Sequence, residues 1–477
     1  MQKEMLKVLK NLKESWISVI AIVILLIIQA AGDLTLPDYT SKIVNIGIQN
    51  GGIENVAPEV IRKSEMENLL IFTEEDDKIL SSYEEISKEN LDNKEYEKLV
   101  KKYPELENEA LYKIEKIDSK KQDKLDNIMA KPLMVLSMLE NEETSEQIKQ
   151  QMLESIKTNQ QEQQMQAMQN MSLIDIIKQM PKEQLDKMLE TVNEKINDMQ
   201  ESILEQAAIQ EVKKEYKAIG IDTDKLQNQY IIIAGLKMLG ISFLIMASAI
   251  SIMCLSARVA ARLAKTLREK VFKKVLSFSN KEFAEYSTAS LITRSTNDIQ
   301  QIQGLIAILF RVLVYAPIIG IGGFLRVLRQ SDNSMAWIIG VAILAILFVV
   351  GTLFIMAMPR FKKLQQLIDK LNLVAREILT GLPVIRAFNT EKKEENRFDK
   401  ANIDLTKTNL FVNRAMSFMM PTLMLIMNGI SLLIVWVGAH GIDNGTMQVG
   451  NMMAFIQYTM QIVMSFLMIS MVSIMLP

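Results

Sequence analysis

The chain has 477 residues, 49% of them hydrophobic, and a formal net charge of −2. A single cysteine (Cys254) and a single histidine (His440) exclude a disulfide framework, and they leave no basis for a zinc site or a His-based catalytic triad. No metal and no catalytic residue is therefore expected, and nucleic acid is not among the expected partners.

In the leader, residues 1–15, Met5, Val8, Leu9 and Leu12 share one helical face while Lys3, Lys7, Lys10 and Lys13 lie elsewhere. This pattern predicts an amphipathic helix on the inner membrane surface; a plain basic flank is the simpler alternative. Trp16 to Leu36 is the first of six apolar runs that approach or exceed the roughly 20 residues a helix needs to cross a bilayer. Asp33, Pro37 and Asp38 follow its core in place of a small-residue cleavage site, so it is a span (with its exit, residues 16–49) and not a signal peptide. The other runs are Tyr230 to Leu255, Ile302 to Leu325, Met335 to Met358, Phe418 to Val437 and Met452 to Leu476. The fold class is all-α: a polytopic membrane protein with six spans, long cytoplasmic helical extensions and a helical extracytoplasmic insert.

The insert, residues 50–228, holds about 39 acidic and about 24 basic residues, so the remainder of the chain is basic. Leu173 to Ile196 spaces its apolar residues by three and four, which predicts amphipathic helix. Pro104, Pro132 and Pro181 should mark helix starts or breaks. Gln160 to Met171 reads as helix or as a flexible connector. A hairpin or small helical bundle is expected.

Two long basic segments lie between spans within residues 229–477, Ser256 to Gln301 and Pro359 to Arg414. They and the leader are rich in Lys and Arg, whereas Gly438 to Gly450 has none; the N-terminus and both basic loops are therefore expected in the cytoplasm of a cell-membrane protein, and the insert outside. Arg326 and Arg329 run against this bias. Helix in the first loop should stop near Ser279 and restart under a cap at Ser287 or Thr288, with Arg294, Asn297 and Asp298 on one side.

Tyr286 through Asp298 closely resembles the first intracellular loop of ATP-binding-cassette exporters. Arg376-Glu377, Gly381, Val384 to Phe388, Glu391 and Phe398 are similar to the second loop. Gln448 to Phe455 resembles the entry to that family's sixth span, and Leu36-Pro37 with Ile43 to Ile48 the end of its first. The matches fall in order between the right spans and cover nearly everything but the insert.

The resemblance implies that each loop ends in a coupling helix docking on a nucleotide-binding domain, at about Lys281 to Ser287 and Thr380 to Arg386. Phe283, Glu285, Tyr286, Ser287, Leu382, Val384 and Arg386 would make that contact, Arg386 at the rim of a cleft; closing the core of each hairpin is the alternative role. ATP and Mg are expected at the motor domains and no cofactor in this chain, since no Gly-x-x-x-x-Gly-Lys-Ser/Thr loop occurs in it. The chain ends abruptly at its last span, so a truncated product is expected, with a separate motor chain as the alternative; only the assembled transporter would be an ATP-hydrolysing translocase. A second half, as homodimer or heterodimer, and the lipid bilayer complete the expected partners.

For the substrate pathway, Arg311 is costly to expose to lipid and should face the bundle interior, as a substrate contact or paired with an acid. Asp33 is a second candidate, or an interfacial residue beside Asp38. Methionines crowd the fifth and sixth spans; Met420, Met424, Met460 and Met464 would suit a polyspecific apolar cavity, and generic packing is the alternative. The rival functional class is a membrane receptor or sensor whose acidic outer domain binds a ligand; an intramembrane enzyme lacks any nucleophile–base pair.

Overall fold

The computed structural model describes residues 15–140, 145–146, 173–178, 201–329 and 335–475. In chain order, α1 (Trp16–Lys42) passes into a π-helical stretch, Ile43–Gln49. There follow β1 (Val60–Arg62), α2 (Lys63–Leu70), β2 (Tyr83–Ile86), β3 (Leu111–Ile114), α3 (Ser119–Glu140) and α4 (Glu201–Ile219). Next come α5 (Thr223–Leu276), α6 (Asn280–Glu285), α7 (Thr288–Ser295) and α8 (Asn297–Phe310). A second π stretch, Arg311–Tyr315, leads into α9 (Ala316–Arg329), and α10 (Ala336–Ala387), α11 (Glu391–Asp443) and α12 (Val449–Met475) complete the series.

Six helical stretches among the described residues are long and apolar enough to cross a membrane, and each expected span falls on one of them. Three are far longer than a bilayer requires: α5, α10 and α11 have 54, 52 and 53 residues. At about 1.5 Å per residue each reaches roughly 80 Å, against a hydrocarbon core of about 30 Å. The surplus in each is the basic segment of the sequence.

The chain forms two compact units, Met1–Pro37 with Ile241–Val437 and Phe455–Pro477, and Asp38–Gly240 with Gly438–Ala454. In the first, Ile22 and Leu26 pack with Ile252 and Val259, and Ala260 and Leu263 pack with Ile306 and Leu309. Gly322 and Gly323 sit where a Cβ would come within 2.6 Å of Leu34 and 2.8 Å of Ile462, so small residues on α9 set its close approach to α1 and α12.

The second unit holds a feature outside the all-helical expectation for the insert, a three-stranded antiparallel sheet in the order β1-β3-β2. Ile61 lies opposite Tyr112, and Tyr83 opposite Ile114. Alternation places Ile61, Tyr112 and Tyr83 in one core with α3 and α4, and Val60, Leu111 and Ile86 in another with Tyr103 and Leu106. The sheet is thus covered on both faces.

Pro104 starts a 3-10 turn, as expected, but Pro132 lies inside α3 and is buried. The helix passes through it because Leu125, Met129, Leu133 and Leu136 lie on either side of it within the main core, and that packing outweighs one missing backbone hydrogen bond. Arg62 ties β1 to α4, its Nη2 donating to Glu215 Oε2 at 2.7 Å and its backbone N to Oε1 at 2.7 Å. This pairing with buried Glu215 holds the guanidinium pKa above its usual value. The expected leader helix, the Gln160 to Met171 stretch and Pro181 lie outside the described residues, as does the Leu173 to Ile196 stretch apart from Leu173–Lys178, which is helical.

Candidate functional sites: two hairpin tips and a membrane cavity

The first tip begins where α5 ends at Leu276. Ser279 caps α6 with a full capping box: its hydroxyl accepts from Glu282 N at 3.4 Å, and Glu282 Oε2 accepts from Ser279 N at 2.9 Å. That backbone hydrogen bond from Ser279 holds the Glu282 carboxyl below its usual pKa. Ser287 then caps α7, its Oγ accepting from Ser290 N at 3.2 Å, as the sequence predicts. Tyr286 lies in the extended link between the two short helices, stacked on Phe278 at 5.8 Å between ring centres, with Arg294 5.2 Å above its ring. Phe283 and Tyr286 remain 47% and 37% exposed. Arg294 lies in the last turn of α7 and Asn297 opens α8, so the side expected to carry both is divided by a break at Thr296.

The second tip has no separate short helix. Thr380 to Arg386 forms the last turns of α10, which runs unbroken to Ala387. Asn389 turns the chain with φ 54°, the one non-glycine residue among those described with positive φ, and α11 starts at Glu391. Asparagine tolerates this conformation better than other side chains. Arg397 on α11 reaches Glu377 on α10 at 2.5 Å, and Arg360 lies 4.6 Å over the Phe411 ring; together they hold the hairpin shut. Glu377, paired in this way, raises the Arg397 pKa. Val384 and Phe388 are 59% and 75% exposed, Arg386 is exposed and Leu382 is half-buried. The Glu285 side chain lies outside what the structure describes.

Membrane spans of the first unit form an open cavity of about 330 Å³ lined by Tyr315, Ile319, Met427, Met460, Gln461, Met464, Ser465 and Met468. Two of these lining residues are bonded to Asp33, which is not itself part of the lining. Tyr315 donates to Asp33 Oδ2 at 2.6 Å, and Gln461 Nε2 donates to the Asp33 carbonyl at 3.0 Å. Tyr315 ends the π stretch that begins at Arg311; such local widening of a helix recurs at functional sites.

Of the residues expected along the pathway, Met460 and Met464 line this cavity, and Asp33, outside the lining, accepts hydrogen bonds from two residues that do line it. Met420 and Met424 are 57% and 66% exposed and are not among its lining residues. Arg311 is exposed, and among the described residues no ion pair joins it to an acid. Tyr315, Gln461, Met427 and Met468 complete the cavity beyond the sequence-expected set. Tyr315 could have been found one helical turn beyond Arg311, and Gln461 as the polar residue beside Met460.

Residues 185–466, more than half of the chain, match the family described as the ABC transporter transmembrane region. The chain belongs to that family. Nothing in the comparisons favours the receptor reading. An uncharacterised ABC transporter ATP-binding protein of Mycobacterium bovis is 37% identical over 244 residues, 51% of this chain and 42% of the relative. The ABC transporter ATP-binding protein YfiB of Bacillus subtilis is 31% identical over 234 residues, 49% and 41% of the two chains. The ATP-dependent lipid A-core flippase of Pseudomonas aeruginosa is 27% identical over 208 residues, 42% and 33%. The matched part of this ABC transporter chain thus spans about two-fifths of the length of its first relatives.

Proposed function

We propose that this chain is the membrane half of an ATP-driven exporter, working with a second half and with nucleotide-binding domains that bind ATP and Mg. The N-terminus and both hairpin tips would lie in the cytoplasm and the acidic insert outside, following the distribution of Lys and Arg. The observation that carries the proposal is the construction of the two tips: helices continuous with spans, closed by caps and ion pairs, ending in exposed Phe283, Tyr286 and Val384 beside basic residues. Apolar side chains held this far out on rigid helices suit a protein partner better than water. Glu285, Ser287, Leu382 and Arg386 would join the same contact. The basic rim fits an anionic border on the motor surface.

The cavity suggests the cargo. Four methionines, one isoleucine and one tyrosine offer a deformable apolar wall, while Gln461 and Ser465 offer a small polar edge. An amphipathic molecule with an apolar body and a polar head fits that division, and the flippase similarity is consistent with such cargo. Arg311, exposed on the single chain within a span, would face the second half or the pathway between halves.

The test is ATP hydrolysis and transport in lipid vesicles, using the protein together with the coding sequence that follows it or with a co-purifying motor chain. Tyr286→Ala should preserve basal hydrolysis and abolish its link to transport. Equal transport by Tyr286→Ala and the parent protein would overturn the coupling role, and failure of any ATPase to assemble with the chain would overturn the exporter.

A further inference from the structure

Away from the tips and the cavity, three glutamates on three helices of the second unit converge: Glu65 on α2, Glu140 at the end of α3 and Glu211 on α4. One carboxylate oxygen of each lies within 4.8 Å of the others. Two oxygens bound to one ion at the usual Ca–O length of about 2.4 Å can be at most about 4.8 Å apart, so all three fit one coordination sphere.

Glu65 and Glu211 are only 6% and 3% exposed, which carboxylates rarely tolerate without a cation. The Glu65 carboxylate is also incompletely satisfied: Oε2 accepts from Asn68 Nδ2 at 3.1 Å, but Oε1 is buried with no hydrogen-bond partner. Asn68 Oδ1, on the amide that makes this bond, is buried and unpartnered as well. Free acceptors in an interior are disfavoured unless an ion or water meets them.

The neighbouring positive charge is insufficient. Lys214 Nζ is 2.9 Å from Glu211 and 3.5 Å from Glu140, on a side chain that is half exposed. Arg62 is committed to Glu215. When all three carboxyls are ionised, they and one ammonium carry two net negative charges, which one divalent ion neutralises.

We propose that Glu65, Glu140 and Glu211 bind a hard divalent cation of calcium size, which ties α2, α3 and α4 of the insert together. All-oxygen donors select against soft and imidazole-preferring metals, and carboxylates on three separate helices suit the irregular geometry that calcium accepts. The site does not depend on the transport proposal.

The experiment uses the full chain in detergent after chelation, with calcium chloride as the probe, read by titration calorimetry and by the unfolding midpoint. The expected result is saturable binding of one ion per chain and a midpoint that rises at millimolar calcium. Glu140→Gln, at an exposed position that should fold normally, should weaken binding about tenfold or more, and Glu65→Gln or Glu211→Gln should abolish it. Lys214→Ala removes a competing charge and should bind calcium more tightly. No heat and no midpoint shift in the parent protein would overturn the site. So would a calcium response unchanged in all three Gln variants, or a Lys214→Ala protein that is destabilised with no gain in calcium affinity, since Lys214 would then be the permanent counter-ion.

Discussion

Gly450→Ala should be among the most damaging single-methyl additions in the chain. The Asn45 side chain, on the π-helical end of the first span, receives the Gly450 backbone N–H on Oδ1 at 2.7 Å and donates through Nδ2 to Asn451 Oδ1 at 3.0 Å and Ser41 Oγ at 3.2 Å. Ser41 Oγ donates in turn to Asn451 Oδ1 at 2.7 Å, closing a buried polar clasp at the start of α12. A Cβ on Gly450 would lie 2.5 Å from Asn45 Oδ1 and 2.5 Å from the Ser41 carbonyl oxygen. The second of these is backbone and cannot rotate away. Relief by shifting α12 costs about 1–3 kcal/mol as overpacking, and loss of the Gly450–Asn45 bond strands a buried acceptor at about 1–3 kcal/mol more. A total near 3 kcal/mol, at about 2–4 °C per kcal/mol for a unit of this size, lowers the unfolding midpoint by roughly 6–12 °C. Thermal unfolding in detergent measures it, with Asn45→Ala and the double variant closing a cycle. The two single losses should be strongly non-additive, because both disrupt one clasp. A Gly450→Ala midpoint within a degree of the parent, or simple additivity with Asn45→Ala, would refute the reasoning.

Glu215→Ala removes the buried partner of Arg62 and should cost about 3 kcal/mol, with hydrogen exchange at β1 accelerating before that at the hairpin tips. Ser279→Ala removes the cap of α6 and should cost about 1 kcal/mol locally, seen as faster amide exchange over residues 280–285 while the global midpoint stays unchanged. Met464→Trp fills much of the cavity; cargo-stimulated hydrolysis by the assembled transporter should fall while basal hydrolysis persists, and unaltered stimulation would move the pathway elsewhere. Arg397→Ala breaks an ion pair exposed on both sides, and the unfolding midpoint in the same thermal assay should stay within a degree or so of the parent, as expected of a screened surface pair.

The membrane framework was legible because bilayer thickness imposes a length on apolar runs, and six runs of that length were present. The basic loops were legible as helical extensions for a related reason, since their apolar spacing continues the period of the adjoining span. The insert's sheet was not legible. Its strands are three or four residues long in a chain crowded with Glu and Lys, and their alternation shows only once Val60 and Ile61 are known to enter different cores. The second tip was expected as a distinct helix, yet nothing between Thr380 and Arg386 caps or breaks α10; Pro383 removes one donor but leaves the helix intact. The Ser287 cap was found where that expectation missed because a cap is a local event, set by one side chain and the amides two or three residues on.

The cavity residues divide in the same way. Met460 and Met464 were found by composition, yet Met420 and Met424 carry the same composition and are not among the lining residues, since a methionine run states chemistry but not direction. Direction comes from contacts that join distant parts of the chain: Asp33 to Tyr315, and Gln461 to the Asp33 carbonyl. A carboxylate in a span costs too much to be left to lipid, so it must draw polar partners from other helices. The partners it has found, Tyr315 and Gln461, both line the cavity. Asp33 is thus tied to two lining residues by contacts the structure shows, one of them a hydrogen bond that spans nearly three hundred residues of sequence.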